Sequence, residues 1–206
     1  MIYLKIEVNM KKLRSTFFYK FLFVILATIG CAHISLAEVR TVPFVDLNQY
    51  LGKWYEIASI PQSFQKECVS NVTAEYSLVE KNRIQVLNSC ETKSGNRKVA
   101  EGRAKVKNSQ TNAELKVTFV KLGGWVFSFG GDYWVIGLGD KYDYAVVGHP
   151  SRKYAWILSR TPDLNPIQLN QVAKSLTDNG YDLCQLKTTV QTGGLDKKLD
   201  FCRLFE

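Results

Sequence analysis

Closely spaced strand-like segments constrain the fold of this chain more than any other feature. Eight runs follow one another between Trp54 and Ser159: 54–59, 72–78, 84–89, 99–106, 115–120, 133–138, 144–148 and 154–159. Turns rich in Gly, Asn, Asp and Lys separate them, which indicates an antiparallel sandwich or barrel. Alternation is clearest in Leu115-Lys116-Val117-Thr118-Phe119, where three apolar residues share one face and two polar residues the other. One helix follows. Asn165 is its expected N-cap, Pro166 its first residue, Ile167, Leu169, Val172, Ala173 and Leu176 its apolar stripe, and Asn179-Gly180 its stop. A ninth strand is expected over 185–190, and Gly193-Gly194 opens a charged tail. The 206 residues contain no long repeat or low-complexity run, so residues 38–191 read as one domain and 192–206 as a tail.

Residues 1–37 read as an export signal. A cationic stretch runs into the apolar segment 21–32, and Ser35-Leu36-Ala37 has the small-x-small form that signal peptidase cleaves after. The apolar core, about a dozen residues, is shorter than the roughly 20 that span a bilayer. Met10, directly before two lysines, is a candidate start. Cys31 follows Ile29-Gly30, which partly fits a bacterial lipoprotein signal; it is either the site of a lipid anchor or part of the cleaved peptide. The expected destination is the periplasm or outer membrane, and otherwise secretion.

Half of the formal charge of +8 lies in this segment. Beyond it, 22 Lys and Arg face 18 Asp and Glu, a modest excess that argues against a nucleic-acid partner. Two histidines leave metal and His-based chemistry short of parts, and no cofactor is expected. Cys68, Cys90, Cys184 and Cys202 form an even set without a CxxC pair, which suits two disulfides in an oxidising compartment. Cys68 and Cys90 lie near the open end of the hairpin turning at Lys81-Asn82, which favours Cys68 with Cys90 and Cys184 with Cys202.

Three motifs carry a family resemblance. Gly52-Lys53-Trp54 resembles the Gly-x-Trp signature of the first strand, and Ser159-Arg160-Thr161-Pro162 the motif ending the eighth. GLGDKYDYAVVG between them resembles the second motif, with Gly139 where the family has threonine. The resemblance is to the lipocalins, bacterial outer-membrane lipocalins and apolipoprotein D in particular, and covers about 42–191. It implies an all-β fold: an eight-stranded antiparallel up-and-down β-barrel with one C-terminal α-helix packed outside and a ninth strand. It also offers a competing disulfide arrangement, Cys68 with the C-terminal region.

A barrel closed at one end needs a plug that strands no charge. An indole under a guanidinium supplies one by cation–π contact, and Gly52, Trp54 and Arg160 are assigned to it. If Arg160 points inward, period two turns Leu158, Trp156 and Tyr154 inward as well. The fifth strand turns Leu115, Val117 and Phe119 the same way. The family resemblance adds Tyr76, Val86, Asn88, Tyr133, Ala145 and Val147 to the lining. This interior is apolar and aromatic with few polar groups, which suits a fatty acid or lysophospholipid. Each buried methylene contributes about 0.8 kcal/mol. The expected function is carriage or storage of that lipid without catalysis, in the service of envelope membranes, with peripheral or lipid-anchored membrane association. Two alternatives remain at this stage: an enzyme acting on the bound ligand, for which an unpaired Cys90 would be the foothold, and a barrel filled by its own side chains. Gly123–Gly131, an aromatic run bracketed by glycines, is an entrance lip, a membrane-touching patch or a wide hairpin with packed aromatics. Asn71-Val72-Thr73 matches a glycosylation sequon, and His149-Pro150 reads as a turn.

Overall fold

The computed structural model describes residues 38–206; the expected export segment 1–37, with Cys31, lies outside them. A short helix α1 (Leu47–Tyr50) leads into β1 (Gly52–Ser59), and β2 (Cys68–Glu80), β3 (Arg83–Thr92), β4 (Arg97–Val106) and β5 (Glu114–Thr118) follow. Next come β6 (Gly131–Leu138), β7 (Tyr144–Gly148), β8 (Ala155–Ser159), helix α2 (Pro166–Asp178) and the two-residue β9 (Lys187–Thr188). Each of β2 to β7 pairs antiparallel with the next, β1 pairs with β8 and β9, and a further β1–β2 pairing closes the barrel. The fold is therefore the expected antiparallel barrel with a helix outside and a ninth strand.

Local chemistry sets the boundaries. Asn82 takes φ +61° in the tight turn from β2 to β3, a left-handed conformation that asparagine tolerates. Asn165 caps α2 by accepting from the Ile167 and Gln168 amides, and Gln168 accepts in return from the Asn165 amide. A bulge between Glu56 and Ala58 shifts the register of β1 against β8.

Two apolar cores result. The inner one fills the lower barrel around Trp54, Val86, Ala104, Leu115, Val135 and Leu158. The outer one lies between α2 and the outward faces of β1, β6, β7 and β8, around Ile57, Val146, Ile157 and Leu176. Residues 192–206, read as a tail, instead return to this outer core. Phe201 is fully buried there, its amide donates to Leu186 O at 2.9 Å, and the Thr188 amide donates to Leu199 O at 2.8 Å. The charged stretch Asp196-Lys197-Lys198 hid the apolar anchor beyond it. Disulfides join Cys68 to Cys90 and Cys184 to Cys202, with Cα–Cα distances of 5.5 and 4.9 Å.

Candidate functional site

Strand direction gives the barrel two unlike ends. At one, β1 and β3 begin and β8 ends; the leading segment crosses it, with the Val42 amide bonded to Val135 O and the Val45 amide to Thr111 O. Here the Arg160 guanidinium carbon lies 3.7 Å from the centre of the Trp54 ring. Its nitrogens donate to the carbonyls of Gln49 (2.7 Å), Lys53 (2.8 Å) and Tyr142 (3.2 Å), so the charge is hydrogen-bonded without a carboxylate partner among the described residues. The fully buried indole donates to Tyr50 O at 2.9 Å. Gly52 takes φ +89°, and a Cβ there would meet Arg160 Nη1 at 3.5 Å. Glycine thus provides the left-handed backbone that starts β1 beneath the guanidinium.

Above the plug sits a tyrosine trio. Tyr133 shares hydrogen bonds with Tyr50 (2.8 Å) and Tyr76 (3.2 Å), and the Tyr50 ring lies 5.0 Å from that of Trp54. Burial pushes the Tyr76 hydroxyl up to about 12 and raises those of Tyr50 and Tyr133 above the ordinary phenol range. Ionisation is thus disfavoured in the folded state relative to the unfolded chain, whose tyrosines titrate near pH ~10. This stability contribution is complete below that pH and is lost as pH rises through the folded values. Denaturation followed by phenolate absorbance is expected to show a falling midpoint above about pH 10, with the trio ionising as the chain unfolds. Ionisation of every tyrosine near pH ~10 in a still-folded protein would contradict the trio.

The other end is open, and inward-facing residues gain exposure toward it. On β4, Ala104 and Gly102 are buried and Ala100 is exposed; on β5, Leu115 is buried and Val117 half-buried; on β8, Leu158 is buried and Trp156 half-buried. On β3 Asn88 is half-buried above buried Val86, but disulfide-bonded Cys90 beyond it is buried again. Ala145 and Val147 are fully buried in the inner core. Tyr154 lies just before β8, half-buried, with its ring 6.1 Å from and nearly parallel to that of Trp156.

Phe119 requires a correction. It lies beyond the end of β5 and is 46% exposed, so it stands at the rim, with its ring turned over the inward face of Gly102. Its ring edge is 2.8 Å from where a Cβ on Gly102 would sit, so the missing side chain of Gly102 makes room for it. Within the aromatic run, Trp125 and Phe127 pack under cations of the outer wall. Arg103 lies 5.0 Å from the Trp125 ring centre, and Arg83 and Lys105 lie 4.9 and 4.8 Å from that of Phe127. These two follow the packed-hairpin reading and do not form a lip.

The interior holds few free polar groups. The tyrosine hydroxyls bond one another, whereas Asn88 Oδ1 is shielded from solvent and has no hydrogen-bond partner. Cys90 is tied to Cys68, which closes the route to a reactive cavity thiol. Sequence reasoning missed Tyr50 and the buried Glu56. The Glu56 carboxylate accepts from Ser59, Gln65 and Thr189 at 2.7–3.0 Å, and Gln191 donates to its backbone carbonyl and to Val72 O. This network spans the gap where β1 leaves β2. Its only sequence signal was a charged residue two positions after Trp54, on the inward side of the strand.

Known proteins share this architecture. The Lipocalin-like domain family matches residues 45–191. The chain is 38% identical over 157 residues to temperature-induced lipocalin-1 of Arabidopsis thaliana, covering 75% of this chain and 84% of the relative. It is 36% identical over 170 residues to the outer membrane lipoprotein Blc of Vibrio cholerae, covering 80% and 95%. Apolipoprotein D of Mus musculus is 35% identical over 154 residues, covering 71% and 77%. Insecticyanin from the tobacco hornworm superposes with a TM-score of 0.60 at 24% identity, covering 76% of this chain and 89% of that one. With the barrel closed over an indole and a guanidinium, and with relatives matched along most of their length, the chain belongs to the lipocalin family.

Proposed function

We propose that this protein binds one amphipathic lipid, a fatty acid or a lysophospholipid, in the upper barrel, and carries or stores it without catalysis after export to the cell envelope. The observation that supports this reading is the parallel rise in exposure on β4, β5 and β8 above a packed floor. The β4 inner row, Ala100, Gly102 and Ala104, carries small side chains, of which Gly102 is covered by the Phe119 ring. Val86, Leu115, Val117, Ala145, Val147, Trp156 and Leu158 supply apolar wall, with Tyr76 and Tyr133 below. The alkyl body lies against this wall. The polar end stays near Asn88 and Tyr154, because the floor hydroxyls already have partners. Phe119 borders the way in.

The names of two relatives, an outer membrane lipoprotein and an apolipoprotein, accord with a lipid cargo and an envelope setting. The disulfide at Cys90 removes the feature that favoured an enzyme.

Displacement of a fluorescent fatty acid tests the reading. Saturable binding is expected, and Trp156→Ala weakens it about tenfold, the effect of losing roughly 1.4 kcal/mol of contact, with little change in melting temperature. Absence of saturable binding indicates a barrel with no ligand space. A large drop in melting temperature at unchanged affinity places Trp156 in the packing rather than the lining.

A further inference from the structure

The two ends of the barrel differ in charge as well as in closure. The segments around the open end, residues 60–70, 91–99, 119–132 and 149–154, hold seven Lys and Arg against three Asp and Glu. Those around the closed end, 46–53, 80–83, 106–114, 138–143 and 160–163, hold six against six. Two of the three open-end carboxylates are already paired, Glu67 with Lys98 and Asp132 with Lys116. Lys66, Lys93, Lys121 and Lys153 are exposed, and none forms an ion pair among the described residues.

Among these lysines stand large apolar side chains facing water: Phe64 at 63%, Leu122 at 72% and Phe129 at 71% exposure. Their loops are braced. The Trp125 ring lies between Arg103 and Lys121 (5.0 and 5.4 Å), Thr118 donates to Val126 O at 2.9 Å, and Gln62 donates to Lys153 O at 3.0 Å across two loops. Exposed apolar groups on a firm backbone, in the same loops as ammonium groups that have no carboxylate partner among the described residues, fit a surface with anionic heads over an apolar interior.

We propose that the open end of the barrel docks on an anionic lipid bilayer, with Lys66, Lys93, Lys121 and Lys153 against the head groups and Phe64, Leu122 and Phe129 in the interfacial layer. Docked this way, the protein faces its mouth to the membrane, so a lipid passes between bilayer and barrel without crossing water. The docking itself does not depend on what the cavity holds.

Co-sedimentation of the full chain with phosphatidylcholine vesicles, with and without phosphatidylglycerol, tests the proposal. The parent is expected to prefer the anionic vesicles and to lose that preference as salt screens the charges. The double variants Lys66→Glu/Lys121→Glu and Leu122→Asp/Phe129→Asp are each expected to lower partitioning by at least about tenfold. Lys81→Glu/Lys107→Glu, at the closed end, keeps it; any share of binding owed to residues 1–37 is common to all of these chains. The proposal is overturned if the mouth variants partition like the parent, if the closed-end variant loses as much, or if the parent binds a single-stranded oligonucleotide and not the vesicles. Fluorescent fatty-acid affinity is expected to survive in both mouth variants, so failure to dock remains distinguishable from failure to bind cargo.

Discussion

Trp54→Ala is expected to destabilise the protein by about 3–5 kcal/mol, the range for removing a fully buried large aromatic. In a domain of this size that lowers the melting temperature by roughly 10 °C. The indole occupies the centre of the floor with no exposed surface, so its loss leaves a cavity bounded by Tyr50 and the Arg160 guanidinium. Arg160 keeps its three carbonyl partners in the variant but loses the aromatic face beneath it, which leaves a partly buried charge less well compensated. The upper barrel is untouched, so fluorescent fatty-acid affinity measured well below the melting transition stays close to that of the parent. Thermal melting and the displacement assay together decide the matter. Unchanged melting would show that the plug does not support the floor, and a loss of affinity at unchanged melting would move Trp54 from floor to lining.

The plug was legible in the sequence because both partners carry strong local constraints. Gly52 is needed for a positive φ, Trp54 follows it at the start of an alternating strand, and Arg160 lies at the end of another strand in phase with Leu158 and Trp156. The strands were legible for a similar reason, since turn residues such as Asn82 act over a few positions. Strand ends were less so. Phe119 continues the alternation of β5 in sequence, but the chain leaves the sheet at Thr118 to fold Trp125 and Phe127 against wall cations, a long-range contact that periodicity does not encode. Tyr50 and Glu56 were missed for the opposite reason. Each has an ordinary local context, and each gains its role only when distant residues, Tyr133 in one case and Thr189 and Gln191 in the other, arrive beside it.

Phe201→Ala is expected to cost a similar amount, about 3–5 kcal/mol, although its surroundings in sequence read as a polar appendage. The ring is fully buried in the outer core, where Leu176 and Leu186 are also fully buried, and it meets Phe205 edge-on at 5.5 Å. The Cys184–Cys202 disulfide keeps the segment tethered beside the vacated site, so the variant is expected to hold the tail in place around a cavity rather than release it. Hydrogen exchange distinguishes these states. Local loosening accelerates exchange of the Thr188 and Leu199 amides, which bond across β9 to Leu199 O and Thr188 Oγ1, before the barrel strands exchange. Fatty-acid affinity is expected to remain unchanged, because the outer core and the proposed lining lie on opposite faces of β6, β7 and β8. A melting temperature equal to the parent's would show that residues 192–206 add nothing to the stability of the barrel. A fall in fatty-acid affinity would instead show that the wall between the two cores transmits the damage, since β6, β7 and β8 carry the outer core on one face and the proposed lining on the other.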